Sequence, residues 1–410
     1  MDQQAYLLQQ LQALTAIPSP TGMTRQATDY LLAELTRLGF KPQRTPKGTV
    51  LCCLGGSGHP LAISAHVDTL GAMVRAVKGN GCLRYTQLGG YNDNAIENEN
   101  VLIHTRTGKT YTGTVQSTRA SRHVWGDTTA TPRGDESLEI VVDECTWSQA
   151  ETLALGIRAG DFISFDPRTV ITESGFVKSR HLDDKASSAV LLTLAREVAE
   201  GRAALARQTT LVFTVYEEVG HGASPLFALP LEDLLAVDMG CVGDDLTCRE
   251  TQVSICAKDS AGPYDFDFTN ELVARAQRLG LDYAVDVYPR YSSDTATALR
   301  AGLDARFALC GGRFFIGRGR SLFARRFCRV FLYRKEKPFP RRSLARARAA
   351  DRRPPLPRSF PAPSRPPHGE GRVLCRRARR KRIFSGRELS FSGKKYLKKC
   401  TPSIILYRVK

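Results

Sequence analysis

Residues 209–220 read TTLVFTVYEEVG. The run from Thr209 to Val215 is β-branched and apolar, and it is too short for a buried helix, so it reads as a buried strand. It ends on Glu217-Glu218. Adjacent acids closing a buried strand are costly unless something neutralises them. Successive strand residues point to opposite sides, so one Glu can ligate a cation while a distortion turns the other toward a water. A surface strand end is the competing reading of the doubled acid.

Three other segments share this texture. Leu61 to Ser64 leads into His66-Val67-Asp68, and LLAVDMGCVG (234–243) ends a strand near Ala236 on Asp238. His181-Leu182-Asp183-Asp184-Lys185 stands directly before a helix expected over Ala186 to Glu200. Taken singly, His66 reads as a satisfied structural histidine and Asp183 as a helix N-cap. Taken together, strands and helices alternate, and an imidazole and several carboxylates stand at strand ends. Open α/β sheets gather their ligands on that rim, and such a donor set suits a pair of metal ions used for hydrolysis. A polar stretch, Tyr291-Ser292-Ser293-Asp294-Thr295-Ala296, suits either a pocket lining or a helix cap.

Farther out, Leu7, Leu8 and Leu11 form one helical stripe (2–15), and Ala27, Leu31, Leu35 and Leu38 form another (24–38). The Pro/Gly turn IPSPTG separates them and Gly39 ends the second. Thr49 to Leu54 reads as a strand, and 269–279 as a helix. From 73 to 165, short strand-like runs alternate with Gly, Asn, Asp and Thr turns, the signature of a small β-barrel or sandwich. The expected organisation is therefore a first part of an α/β domain (1–72), an inserted β-module (73–165), a second α/β part (166–310) and a tail (311–410).

The chain has 410 residues and a net charge of +18. The charge is not evenly spread. Residues 311–410 hold 31 Lys+Arg and 4 Asp+Glu, so the first 310 hold 59 − 31 = 28 basic and 41 − 4 = 37 acidic residues, a balance of −9. The basic character belongs to the tail alone. The eleven cysteines are scattered without a C-x-x-C pair and, with no signal-like N-terminus and no apolar run near the roughly 20 residues of a membrane span, predict a cytoplasmic protein.

The stretches LTAIPSPTG, ISAHVDTLGAMV, GDFISFDP, SGFVKSRHLDDKASSAVLL, FTVYEEVGHGAS, LLAVDMGCVG and YSSDTATALRAG occur in this order over residues 1 to about 310. In order and spacing they resemble the glutamyl-aminopeptidase and tetrahedral-aminopeptidase group, metallopeptidase family forty-two. The resemblance implies a zinc-exopeptidase-like α/β/α catalytic domain with an inserted β-barrel used for dimerisation. It implies a metal-dependent aminopeptidase acting on peptides, a homo-oligomer from dimer to dodecamer, and two divalent ions per subunit, zinc or cobalt, which mixed O/N ligation does not distinguish. It assigns His66 and Asp238 to one ion, Asp183 as a bridge, and Glu218 to the other ion. Glu217 becomes the general base, and Asp68 a supporting carboxylate counted with it in catalysis.

The family places a further histidine ligand after the YSSDTATALRAG stretch. No histidine occurs here between His221 and His368, and His368 lies in a Pro/Arg context, RPPHGEGR. The second ion is therefore expected to be held weakly. Residues 311–410, rich in Arg and Pro and without periodicity, read as the product of a shifted reading frame in a GC-rich gene. The alternatives are an inactive peptidase-like protein, or a genuine basic tail that binds nucleic acid.

Overall fold

The computed structural model describes residues 1–173 and 176–312. Residues 313–410, with His368 and the frame-shift expectation, lie outside the described residues. Helices α1 (Gln3–Ala16) and α2 (Arg25–Arg37) precede β1 (Gln43–Arg44), β2 (Val50–Gly55) and β3 (Leu61–His66). The chain then forms β4 (Gly71–Val77), β5 (Leu83–Leu88), β6 (Asn100–His104), β7 (Thr110–Ser117), β8 (Leu138–Val142), the short helix α3 (Gln149–Ala154) and β9 (Phe162–Phe165). A ribbon of β10 (Val170–Ile171) and β11 (Val177–Lys178) leads to α4 (Leu182–Ala199). After it come β12 (Thr209–Thr214), β13 (Asp233–Asp238), β14 (Val253–Asp259), β15 (Gly262–Pro263) and α5 (Phe266–Arg278). The described chain ends with β16 (Tyr283–Val287), α6 (Asp294–Arg300) and β17 (Arg306–Gly312).

The main sheet runs β1-β2-β12-β3-β13-β17-β14-β15, with β16 also on β14. Its centre is parallel: β12 pairs with β3, β3 with β13, and β13 with β17. The alternation expected for such strands decides which helix each residue meets. Ile63, Leu211, Phe213 and Leu235 face one apolar layer with Leu11, Leu14, Leu31, Leu35 and Leu191 of the helices. Their neighbours Ala62, Val212 and Leu234 face a second layer, with Leu226, Ala298 and Leu303. The sheet is thus covered on both faces, as parallel sheets must be. Phe213 has no exposed surface, and Phe213→Ala is expected to cost about 3–5 kcal/mol in urea denaturation, the range for truncating a buried aromatic.

The inserted module closes as a barrel, β4-β5-β8-β7-β6-β9, around its own core of Val74, Leu83, Tyr85, Ile103, Val115 and Ile140. Its first strand begins at Gly71. At the other end, β17 runs through Gly311 and Gly312, which pair with Ser254 and Val253 of β14, so the sheet extends two residues into the stretch read as tail. No helix among the described residues is long and apolar enough to cross a membrane.

Candidate active site

Three adjacent parallel strands deliver the chemistry. His66 ends β3, directly opposite Thr214 at the end of β12. Asp238 ends β13, opposite Gly311 of β17. The chain leaving β12 carries Glu217 and Glu218, and the start of α4 carries Asp183 and Asp184. Helix α4 is tied down there: Lys185 Nζ donates to the Ile17 carbonyl (2.5 Å) and the Ser188 hydroxyl to the His66 carbonyl (3.0 Å). The barrel touches the same place. Gly89, after β5, has φ +80°, and a Cβ there would lie 2.5 Å from Leu70 Cδ2 and 3.3 Å from Glu218 Cβ. Only glycine allows that approach without strain.

His66 is buried. Its Nδ1 lies 2.9 Å from the Asp68 carbonyl oxygen, which fixes the ring and leaves Nε2 facing the acids. Nε2 is 2.9 Å from Asp183 Oδ1 and 3.8 Å from Glu217 Oε2. Burial alone would depress the imidazole, but the carboxylates of Asp183, Asp68 and Glu217 hold its pKa well above the ordinary value. Asp68 accepts from the Thr21 hydroxyl (2.7 Å) and from the Glu217 amide (3.2 Å). Burial opposes its ionisation, yet His66, Thr21 and that amide hold its carboxyl below the usual range.

The remaining acids behave oppositely. Burial first, then the charges of neighbouring acids, pushes Asp184, Glu217 and Glu218 well above the carboxylate range. Burial and Asp183 push Asp238 up to about 7. In each of two groups the ligand atoms lie within 4.8 Å of one another: His66, Asp183 and Glu218 form one, and His66, Asp184 and Asp238 the other. Within them, Glu218 Oε1 and Asp184 Oδ1 are buried and accept no hydrogen bond from the described residues. Buried carboxylate oxygens without donors are what a bound cation satisfies. The donor set, carboxylate oxygens around one imidazole, fits a first-row divalent ion. Among the described residues His66 is the only histidine in either group.

All six residues singled out from the sequence therefore lie in one neighbourhood. The structure adds three more. Asp184, given no role in the sequence, stands beside Asp238 and accepts from the His66 amide (3.2 Å). Asp294 accepts from the Ala223 amide (2.8 Å) and the Thr214 hydroxyl, and burial lifts it to about 6. Tyr291 Oη is buried with no hydrogen-bond partner among the described residues. Burial and the charges of Asp238, Asp183 and Glu217 keep its phenol protonated far above neutrality. The polar stretch 291–296 hinted at the last two. Asp184 carried only the signal of a doubled acid.

The profile of the M42 glutamyl aminopeptidase family matches residues 48–312. The chain is 41% identical over 304 residues to the putative aminopeptidase YhfE of Bacillus subtilis, covering 73% of this chain and 88% of that one. It is 27% identical to the glutamyl aminopeptidase of Lactococcus lactis, over 59% of this chain and 72% of that one. Among solved structures it resembles the TET1 peptidase of Pyrococcus horikoshii, which can assemble into a tetrahedron or a large octahedral shell. The TM-score is 0.66 at 21% identity, with 74% and 90% of the chains covered. Fold and family thus agree with the expectation from sequence: the chain belongs to the M42 glutamyl aminopeptidase family of peptide hydrolases.

Proposed function

We propose that the chain is a metal-dependent aminopeptidase that removes N-terminal residues from peptides, using two divalent ions and Glu217. The observation carrying this reading is the pair of buried, donor-less carboxylate oxygens on Glu218 and Asp184, in groups that share His66. His66 and Asp238 would hold one ion with Asp184 beside them, Asp183 would bridge, and Glu218 would hold the other, with zinc or cobalt as the metals. Ions bound there supply polarisation of the scissile carbonyl and acidification of the attacking water.

The chain's own residues do the rest. Glu217 sits within 3.8 Å of His66 and in surroundings that raise its proton affinity. A carboxylate with a raised pKa both takes a proton from water and returns it to a leaving amine near neutral pH. Asp68 fixes two members at once, holding the His66 ring through its main-chain oxygen and the Glu217 amide through its carboxylate. The barrel, which the family resemblance makes a dimerisation module, would then lie between subunits of a homo-oligomer. Release of p-nitroaniline from aminoacyl-p-nitroanilides, supported by added zinc or cobalt and abolished by a chelator, tests the reading. Hydrolysis that survives complete chelation would overturn it.

A further inference from the structure

We infer that Lys47 is a positioning residue that locks the loop carrying Glu217 and Glu218. The inference deepens the reading of Glu217 as proton carrier and rests on it. The loop from Val215 to Ser224 is not a relaxed turn. Tyr216, the residue before the acid pair, has φ +68°, a left-handed conformation that is unfavourable for any residue with a Cβ. Such backbone persists only where its surroundings over-determine it.

Two clamps do so. On one side Asp294 accepts from the Ala223 amide and is itself tied to Thr214. Packing is so close that a Cβ on Gly222 would meet Asp294 Oδ1 at 2.3 Å and Glu217 Cα at 3.1 Å. On the other side stands Lys47, on a tight turn closed by Thr45 N to Thr49 O (2.9 Å) and Gly48 N to Thr45 O (2.9 Å). Its ammonium donates to the carbonyls of His221 and Gly222 (3.2 Å for the latter) and to Ser224 Oγ (3.0 Å). Three acceptors use all three N–H protons of an ammonium, leaving none for a substrate. The same group lies 5.7 Å over the ring of Tyr216, which stacks on His221 at 4.9 Å. Lys47 thus holds both the strained residue and the far end of the loop, while touching neither Glu217 nor Glu218.

Hydrogen exchange on the full chain, comparing wild type with Lys47→Met, tests this without needing turnover. The amides of Gly220, His221 and Ala223 are hydrogen-bonded within or onto the loop and are expected to exchange about tenfold faster in the variant, with barrel strand β7 unchanged. In active enzyme, kcat should fall roughly ten- to a hundredfold through misplacement of Glu217, with KM little changed, and Lys47→Arg should recover part of the loss. Unchanged loop exchange would overturn the inference. If Lys47→Met does not fold, Lys47→Gln is read in its place, and unchanged loop exchange there overturns it equally. A wild-type protein that binds metal but shows no turnover would refute the aminopeptidase reading instead, and the exchange comparison would still decide the role of Lys47.

Discussion

Glu217→Gln is expected to lower kcat by roughly 10²–10⁴-fold, the usual contribution of a positioned acid–base group, while metal uptake stays at the wild-type level. The substitution is isosteric and leaves untouched the main-chain contact that sets the residue's place, the Glu217 amide on Asp68. It removes only the capacity to accept and return a proton. The neighbouring change should behave differently. Glu218 belongs to a ligand group with His66 and Asp183, and one of its oxygens is buried without a donor. Glu218→Gln should therefore lose bound metal along with activity. Assays of aminoacyl-p-nitroanilides at saturating zinc or cobalt, with metal content measured on the same samples, separate the two cases. Equal turnover in wild type and Glu217→Gln would rule out Glu217 as the base.

Why Glu217 was visible in the sequence, and Lys47 was not, follows from where each gets its information. The acids at 217, 218 and 238 are anomalous locally, because they close apolar runs where a charge is costly, whereas Asp183 follows the polar stretch KSRHL and stands out only beside them. The parallel centre of the sheet was legible for the same reason: β3, β12 and β13 are short uninterrupted apolar runs. The later strands carry a weaker signal. VSICAKD in β14 mixes Lys and Asp into its end, and RFALCGG in β17 merges into an Arg-rich stretch. Pairing with each other decides their state. Lys47, in the turn TPKG, reads as a solvated charge. Its acceptors lie more than 170 residues away, and only the fold brings them together. Asp184 is an intermediate case: the doubled aspartate was visible, but which of the two faces His66 Nε2 and which faces Asp238 depends on the backbone at the start of α4.

Titration of the chelator-stripped protein with zinc is expected to show one ion bound at least about tenfold more weakly than the other, the scale on which ligand support changes metal affinity. His66 is the single imidazole shared by both ligand groups among the described residues, so only one ion can take its Nε2 and the other is left to carboxylates. Stripping should also make stability depend on pH in a definite direction. Asp238 rises from an ordinary carboxylate value to about 7 in the folded chain, and Asp184, Glu217 and Glu218 shift the same way. A raised pKa means that the native state binds more protons than the unfolded one, so stability is lost as pH climbs from about 4 toward 7. His66, also raised, acts in the same sense as pH climbs through its own folded pKa. Bound cations reverse the cause, because they neutralise the charges that the acids otherwise impose on one another. Zinc should therefore raise the melting temperature more at pH 7 than at pH 5, and expel protons as it binds. Calorimetric titration in two buffers of different ionisation enthalpy measures that release directly. Uptake without proton release, or a metal-induced shift in melting temperature larger at pH 5 than at pH 7, would mean that the ions bind elsewhere than among these carboxylates.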